Sequence, residues 1–421
     1  MTVYNGKIAR KSWMIAPETV AVMDALQATG VEARFVGGCV RNALVNRPVI
    51  DIDIATPLRP EQVIEHLQAA QIRHIPTGLQ HGTVTAISDG KAFEITTLRI
   101  DVNPFGRHAQ VQFTDDWEKD ASRRDFTINA MSANMNGDVY DPFTGIEDLR
   151  TGRVIFVGYP ETRIQEDILR ILRYFRFFAH FGQGRPDAAA LVACAKLANR
   201  LPRLSAERIR TEVFKILESD RCAITWNIML RAGITTHFLP EATGLKTLER
   251  LLELEADHHS HPFVLRRLAA LLDVTPSGLV ALTRSLRLSN DQAAVLMKLM
   301  NPGMPVATDM SEQAVRKLVY AHGNDMARSL LLLAAARDFD KGNLDALYNV
   351  ATSFRPPRFP LIGDDVLKLG WPAGPQIGRI LKDMEEWWIA EDFAPGRTEA
   401  LKLLAARHVP PVSSGAPALQ A

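Results

Sequence analysis

The run FVGGCVRNAL at residues 35–44, with DID opening seven positions later at residue 51, constrains this chain more than any other stretch. It predicts a strand, a glycine turn, an arginine and a second strand carrying two carboxylates. Glycines let a polyphosphate approach backbone N–H groups, Arg41 can fork onto phosphate oxygens, and Asp51 and Asp53 suit hard divalent cations. Side chains alternate along a strand, so Asp51 and Asp53 point one way while Ile52 and Ile54 enter a core. Two such carboxylates can hold a pair of divalent ions about 3.5–4 Å apart, the equipment of phosphoryl or nucleotidyl transfer.

A chain of 421 residues can bury a large core and is long enough for two or three domains. Its 49 Lys+Arg nearly balance 48 Asp+Glu, so overall charge announces no nucleic-acid partner. The balance is local: residues 150–215 carry 13 basic against 6 acidic side chains, which marks a phosphate-facing surface. Cys39, Cys194 and Cys222 have neither disulfide nor metal-ligand spacing, which fits a reducing cytoplasm. No signal-like apolar segment opens the chain, and no apolar run reaches the roughly 18 residues of a membrane span, so a non-exported protein free of membranes is expected.

Pattern and punctuation place the elements. Residues 17–29 read as a helix ended by Gly30, 32–36 and 49–55 as strands, and 60–70 as a helix opened by Pro60. Residues 83–88 and 91–98 are strands around Asp89-Gly90, a strong hairpin signal, so the sheet is at least partly antiparallel. A strand at Val139 and the DPFTG turn at 141–145 close this first unit near residue 150, and everything beyond 161 reads as helix.

Phe93 and Ile95 on one strand face send Glu94 to the other, either as a third carboxylate beside the metals or as a solvent-facing residue. Residues 97–117 hold a polar, breaker-rich centre with Asn103, Pro104 and Gly106, which predicts a mobile loop or loose hairpin able to act as a lid. In ASRRDFTINAM, Arg123 and Arg124 offer a cationic fork, Asp125 an acceptor for a ribose hydroxyl, and Phe126 and Ile128 an apolar anchor.

Residues 164–181 predict one helix, with Ile168, Ile171, Leu172, Phe175 and Phe178 on an apolar arc and Asp167, Arg170, Arg173 and Arg176 along its flank. Cytosine and adenine both present an amine donor beside a ring-nitrogen acceptor. An aspartate acceptor beside an arginine donor therefore accepts either base and disfavours uracil and guanine. Asp167 with Arg170 fits that role, leaving Arg173 and Arg176 for the triphosphate.

Taken together, GGCVRN with DID, RRDFTIN, DPFTGIEDL, EDILR and LSAERIRTE resemble, in order and spacing, the motifs of the class II tRNA nucleotidyltransferases. These are the CCA-adding enzymes and the related bacterial poly(A) polymerases. The resemblance covers residues from about 30 to 215. It implies an α+β fold: a polymerase-β-like nucleotidyltransferase head with a mixed, partly antiparallel sheet, followed by all-helical neck, body and tail. Residues 15–150 would form the head, 151–220 the neck with its base-reading helix, and 221–409 the tRNA-binding body and tail. The Pro-, Ser- and Ala-rich residues 410–421 would be a disordered tail.

Carried over residue by residue, Gly38 and Arg41 would contact the triphosphate, Asp51 and Asp53 would bind catalytic Mg²⁺, and Arg124 would bind nucleotide. Asp167 and Arg170 would read the base, Arg173 and Arg176 would hold the nucleotide, and LSAERIRTE would brace the reading helix. The implied reaction adds C, C and A to a tRNA 3′ end from CTP and ATP with release of pyrophosphate. Asn42 departs from the pattern, which often has Asp there. His258, His259 and His261 lack the following His-Asp pair of a phosphohydrolase site and read as a helix-end or loop cluster. The alternatives are a poly(A) polymerase, an enzyme adding only CC or only A, and a catalytically silent RNA-binding protein on the same scaffold. The sequence leaves the oligomeric state open.

Overall fold

The computed structural model describes residues 6–102, 110–339 and 342–409. The chain divides into two compact units, one formed by residues up to Leu245 with Pro262–Val264 and Leu271–Ser289, the other by Lys246–His261, Leu265–Ala270 and the chain from Asn290 onward.

The first unit contains ten strands among its described residues: β1 (Gly6–Lys7), β2 (Arg34–Val36), β3 (Ile52–Thr56), β4 (Arg73–Gly78), β5 (Thr83–Ser88), β6 (Lys91–Thr97), β7 (Arg99–Val102), β8 (Gln110–Phe113), β9 (Ser132–Ala133) and β10 (Asp138–Tyr140). Eight of them form a sheet in the order β1-β10-β9-β2-β3-β6-β5-β4, in which only β3 and β6 run parallel. The mixed sheet expected from the sequence is therefore present. Asp89 (φ 47°) and Gly90 (φ 74°) make the tight turn between β5 and β6, both in the left-handed region that such a hairpin requires.

Ile52, Ile54, Phe93 and Ile95 are buried, and helices Pro17–Gln27 and Pro60–Ala69 pack on this part of the sheet. Alternation then leaves Asp53 and Glu94 on the other side. The second carboxylate strand starts at Ile52 rather than at residue 49, so Asp51 stands one residue before it. Arms β7 and β8 pair as a separate hairpin with Arg99 opposite Phe113, while the breaker-rich residues 103–109 lie outside the described residues, as does the tail from 410.

The helix expected over 164–181 is two helices, Pro160–Glu166 and Arg170–Phe181. Asp167 between them is extended (φ −146°, ψ 109°). Its carboxylate accepts from the N–H of Leu169 at 3.1 Å, a local bond that replaces a helical one and starts the second helix afresh. The apolar arc is buried through Ile171, Leu172, Phe175 and Phe178, whereas Ile168 belongs to the break.

The second unit is helical, with Leu318, Leu331 and Leu347 buried and a further cluster around Val366, Met384 and Leu404. Glu255, Arg266 and Arg267 are at most 3% exposed. Glu255 accepts from Arg266 at 2.6 Å through Nη2 and from Arg267 at 2.9 Å through Nε. His258 lies against Tyr348 with ring centres 4.4 Å apart and the rings tilted by 33°.

Candidate active site

The glycine turn is built at Gly37, whose φ of 68° favours glycine and where a Cβ would come within 3.2 Å of Arg124 Nη1. A short helix, Gly38–Leu44, follows directly and carries Arg41. Arg41 Nε and Nη2 donate to Asn42 Oδ1 at 3.2 and 3.0 Å, and Nη1 donates to Asn129 Oδ1. The guanidinium lies 5.1 Å from the ring of Phe177 and 4.5 Å from that of Phe181. Burial, and then the like charge of Arg176, push its pKa down to about 10.

Asp53 pairs in register with Glu94 on the adjacent parallel strand. Its carboxyl is pushed up to about 6, first by burial, then by Glu94, with Arg124 opposing and Asp51 adding. A carboxylate crowded by two others is short of positive charge, so the donor set fits a divalent cation. Among the described residues no three His, Cys, Asp or Glu side chains are grouped to hold one ion. An ion there would take its other oxygens from phosphate and water, the habit of Mg²⁺ in nucleotide sites.

The segment after β8 is tied together by carboxylates. Buried Asp120 accepts from the N–H of Arg99 at 3.1 Å, from Arg123 Nε at 2.9 Å and from Arg124 Nη2 at 3.1 Å. This links the base of the β7–β8 hairpin to Arg124. Asp125, expected to meet a ribose hydroxyl, is 8% exposed and borders an open cleft, with its oxygens already engaged by the protein. Its Oδ1 accepts from the N–H of Phe126 (2.9 Å) and from Asn129 Nδ2 (3.0 Å), and its Oδ2 from Arg173 Nε (2.7 Å). Phe126 and Ile128 are fully buried, as an anchor should be.

Asp167 and Arg170 each have another partner. Asp167 Oδ2 accepts from Arg208 Nη2 at 2.8 Å, while Arg170 pairs with Glu166 and donates to the carbonyl of Arg163 at 2.8 Å. Arg176 pairs with Glu212 at 3.0 Å. Arg208 and Glu212 both lie on helix Ala206–Leu217, within the segment expected to brace the reading helix.

An open cleft of about 920 Å³ gathers Gly38, Arg41, Asp53, Arg124, Asp167, Arg170, Arg173 and Arg176. Asp51 is outside its lining, exposed between Ile50 and Asp53, which do line it. Arg208 and Asn129 also face the cleft and were not assigned to it from the sequence. RRDFTIN contains Asn129, but an amide gives no charge signal; Arg208 sits 41 residues from the aspartate it meets.

A glycine turn, strand carboxylates and an arginine-lined cleft define a nucleotidyltransferase site on a mixed sheet. Residues 33–155 match the family described as the poly A polymerase head domain, and residues 186–245 match the probable RNA and SrmB-binding site of polymerase A. The chain is 33% identical over 396 residues to CCA tRNA nucleotidyltransferase 1, mitochondrial, of Danio rerio, covering 91% of this chain and 90% of that protein. It is 32% identical to the CCA-adding enzyme of Streptococcus gordonii, covering 91% and 95% respectively. The crystal structure of the Bacillus stearothermophilus CCA-adding enzyme in complex with CTP superimposes with a TM-score of 0.73 at 27% identity, covering 93% of this chain and 96% of that one. The chain belongs to the tRNA nucleotidyltransferase family of the CCA-adding enzymes. Among the described residues no helix is long and apolar enough to cross a membrane.

Proposed function

We propose that this protein is a template-independent CCA tRNA nucleotidyltransferase, which adds C, C and A to the tRNA 3′ end from CTP and ATP and releases pyrophosphate. The observation that carries this is the single cleft holding Asp53 at one place and Asp167, Arg170 and Arg208 at another, joined by arginines. In this reading phosphate chemistry and base selection share one open volume, with protein side chains choosing the base.

Gly37 and Gly38 leave the backbone open to the triphosphate, Arg41 and Arg124 meet its oxygens, and Arg173 and Arg176 hold the nucleotide. Asp167 accepts the amine of cytosine or adenine, and Arg170 donates to the ring nitrogen. Asp51 and Asp53 would hold divalent ions, Mg²⁺ in this reading, and bound ions there supply activation of the 3′-hydroxyl and neutralisation of the leaving pyrophosphate. Glu94, beside Asp53 in the sheet, strengthens the local demand for positive charge. Residues 151–220 form the base-reading neck, and 221–409 hold the tRNA acceptor arm by shape and phosphate contacts. Cys39, Cys194 and Cys222 are buried and form no disulfide, which suits a reducing compartment, the cytoplasm in this reading.

The test is to incubate the purified protein with tRNAs ending before C, after C and after CC, supplying each nucleotide separately and sequencing the ends. Full CCA addition gives C, C and A in turn and then stops. Stalling after CC, addition of A alone, or continued A addition would identify a partial enzyme or a poly(A) polymerase instead.

A further inference from the structure

Four of the five arginines assigned to the nucleotide already meet a carboxylate: Arg124 with Asp120, Arg170 with Glu166, Arg173 with Asp125 and Arg176 with Glu212. Arg41 differs. Its side-chain hydrogen bonds go to the amide oxygens of Asn42 and Asn129. Two neutral dipoles and two aromatic rings fix where the guanidinium points without cancelling its charge. Arg176 repels it and the more weakly felt Asp125 attracts it, so an anion entering the cleft beside it is favoured.

The orientation of Asn42 is locked. Its Nδ2 donates to the carbonyl of Pro48 at 3.1 Å, which leaves Oδ1 for Arg41. A carboxylate at this position would place a full negative charge within a hydrogen bond of Arg41 and would face the Pro48 carbonyl with no donor. This is the position where the sequence motif leads one to expect aspartate.

We infer that Asn42 is a positioning residue that sets how strongly the cleft takes the triphosphate, by orienting Arg41 through a neutral amide and leaving its charge for the incoming nucleotide. The inference rests on the nucleotidyl-transfer reading and deepens it. Because the effect acts on phosphates and not on the base, CTP and ATP shift together.

The experiment uses the full chain and measures CTP and ATP dissociation constants by calorimetry in Mg²⁺ without tRNA, beside KM and kcat on a tRNA primer. Position 42 is half-exposed, and melting temperatures check that each variant is folded. Asn42→Asp raises the dissociation constant and KM of both nucleotides at least about tenfold, the loss expected when a charge-assisted contact is neutralised, with the KM for tRNA unchanged. Asn42→Ser loses the same hydrogen bonds without adding charge and gives a smaller rise, about threefold. Unchanged nucleotide affinity in Asn42→Asp, equal rises in both variants, or a rise for one nucleotide alone would overturn the inference. Failure of the unmodified protein to extend any tRNA would instead overturn the functional reading, whatever the calorimetry gives.

Discussion

Asp167 and Arg208 meet at 2.8 Å across 41 residues of sequence, while the other carboxylate oxygen of Asp167 takes the N–H of Leu169 at 3.1 Å. The acceptor proposed to read the base is therefore held from both sides. A good bidentate base contact is worth roughly 1–3 kcal/mol, or about 5-fold to 150-fold in discrimination. Asp167→Ala is expected to lower the preference for C over U and for A over G within that range, measured by single-nucleotide kinetics on a tRNA primer. Arg208→Ala frees the carboxylate and lowers the same ratios less. Unchanged ratios in Asp167→Ala would place base reading elsewhere.

Asp51→Ala and Asp53→Ala are each expected to abolish incorporation of both C and A while leaving tRNA binding largely intact, because the carboxylates serve chemistry common to every addition. Primer extension at saturating Mg²⁺, with tRNA affinity measured in parallel, decides this. Substantial extension by either variant would remove these aspartates from metal binding.

Arms β7 and β8 reach Arg124 through Asp120, which bonds both the main chain of Arg99 and the Arg124 guanidinium. Excising residues 103–109 while keeping the arms is expected to impair A addition more than C addition, the outcome if the hairpin acts as a lid that reshapes the cleft between the two nucleotides. Equal losses in a folded variant would refute a role in switching.

Burial alone would raise the pKa of Asp125, but Arg173 and the Asn129 amide more than offset it and hold the carboxyl below its ordinary value of 3.8. Such a group stabilises the fold above that ordinary value and gives the stability up as pH falls through the lower folded-state value. Melting temperature should therefore fall steeply below about pH 4. Asp125→Asn should start lower and show a flatter acid limb; identical pH profiles would mean the pair contributes no pH-dependent stability.

In the second unit, Glu255→Ala leaves two buried guanidiniums without their shared carboxylate and is expected to cost about 3–5 kcal/mol in unfolding experiments. A triple replacement of Glu255, Arg266 and Arg267 by apolar residues of similar volume should recover much of that loss. A single Glu255→Ala variant as stable as the parent would show that water or another acceptor serves these arginines.

Local signals carried much of the head. Asp89-Gly90 adopts the left-handed pair its hairpin needs, and Phe93 and Ile95 are buried while Glu94 is exposed, as alternation requires. The interruption at Asp167 left no trace, because QEDILR contains neither proline nor glycine and its helical periodicity is unbroken. What opens the helix there is the local bond from the Leu169 N–H together with two tertiary partners, Arg208 on the Asp167 carboxylate and Arg163 donating to the carbonyl of Arg124 at 2.7 Å. Strand β4 was missed because it is a largely exposed edge without alternating apolar residues. The neighbourhood of Asp53 and Glu94 depends on a parallel pairing across the intervening helix and hairpin, a register that no local pattern encodes.

The carboxylates that accompany Arg124, Arg170, Arg173 and Arg176 make the cleft behave like an ion exchanger already loaded with its own counter-ions. On the proposed reading an arriving triphosphate would displace part of that load at Arg124, Arg173 and Arg176, and its affinity would be a difference between two similar sets of charge-assisted bonds rather than the full strength of either. The same displacement would run backward as pyrophosphate departs, the carboxylates returning as phosphate oxygens leave. Modest grip and ready discharge are thus one property, suited to a protein that must empty and refill the same volume for each successive residue.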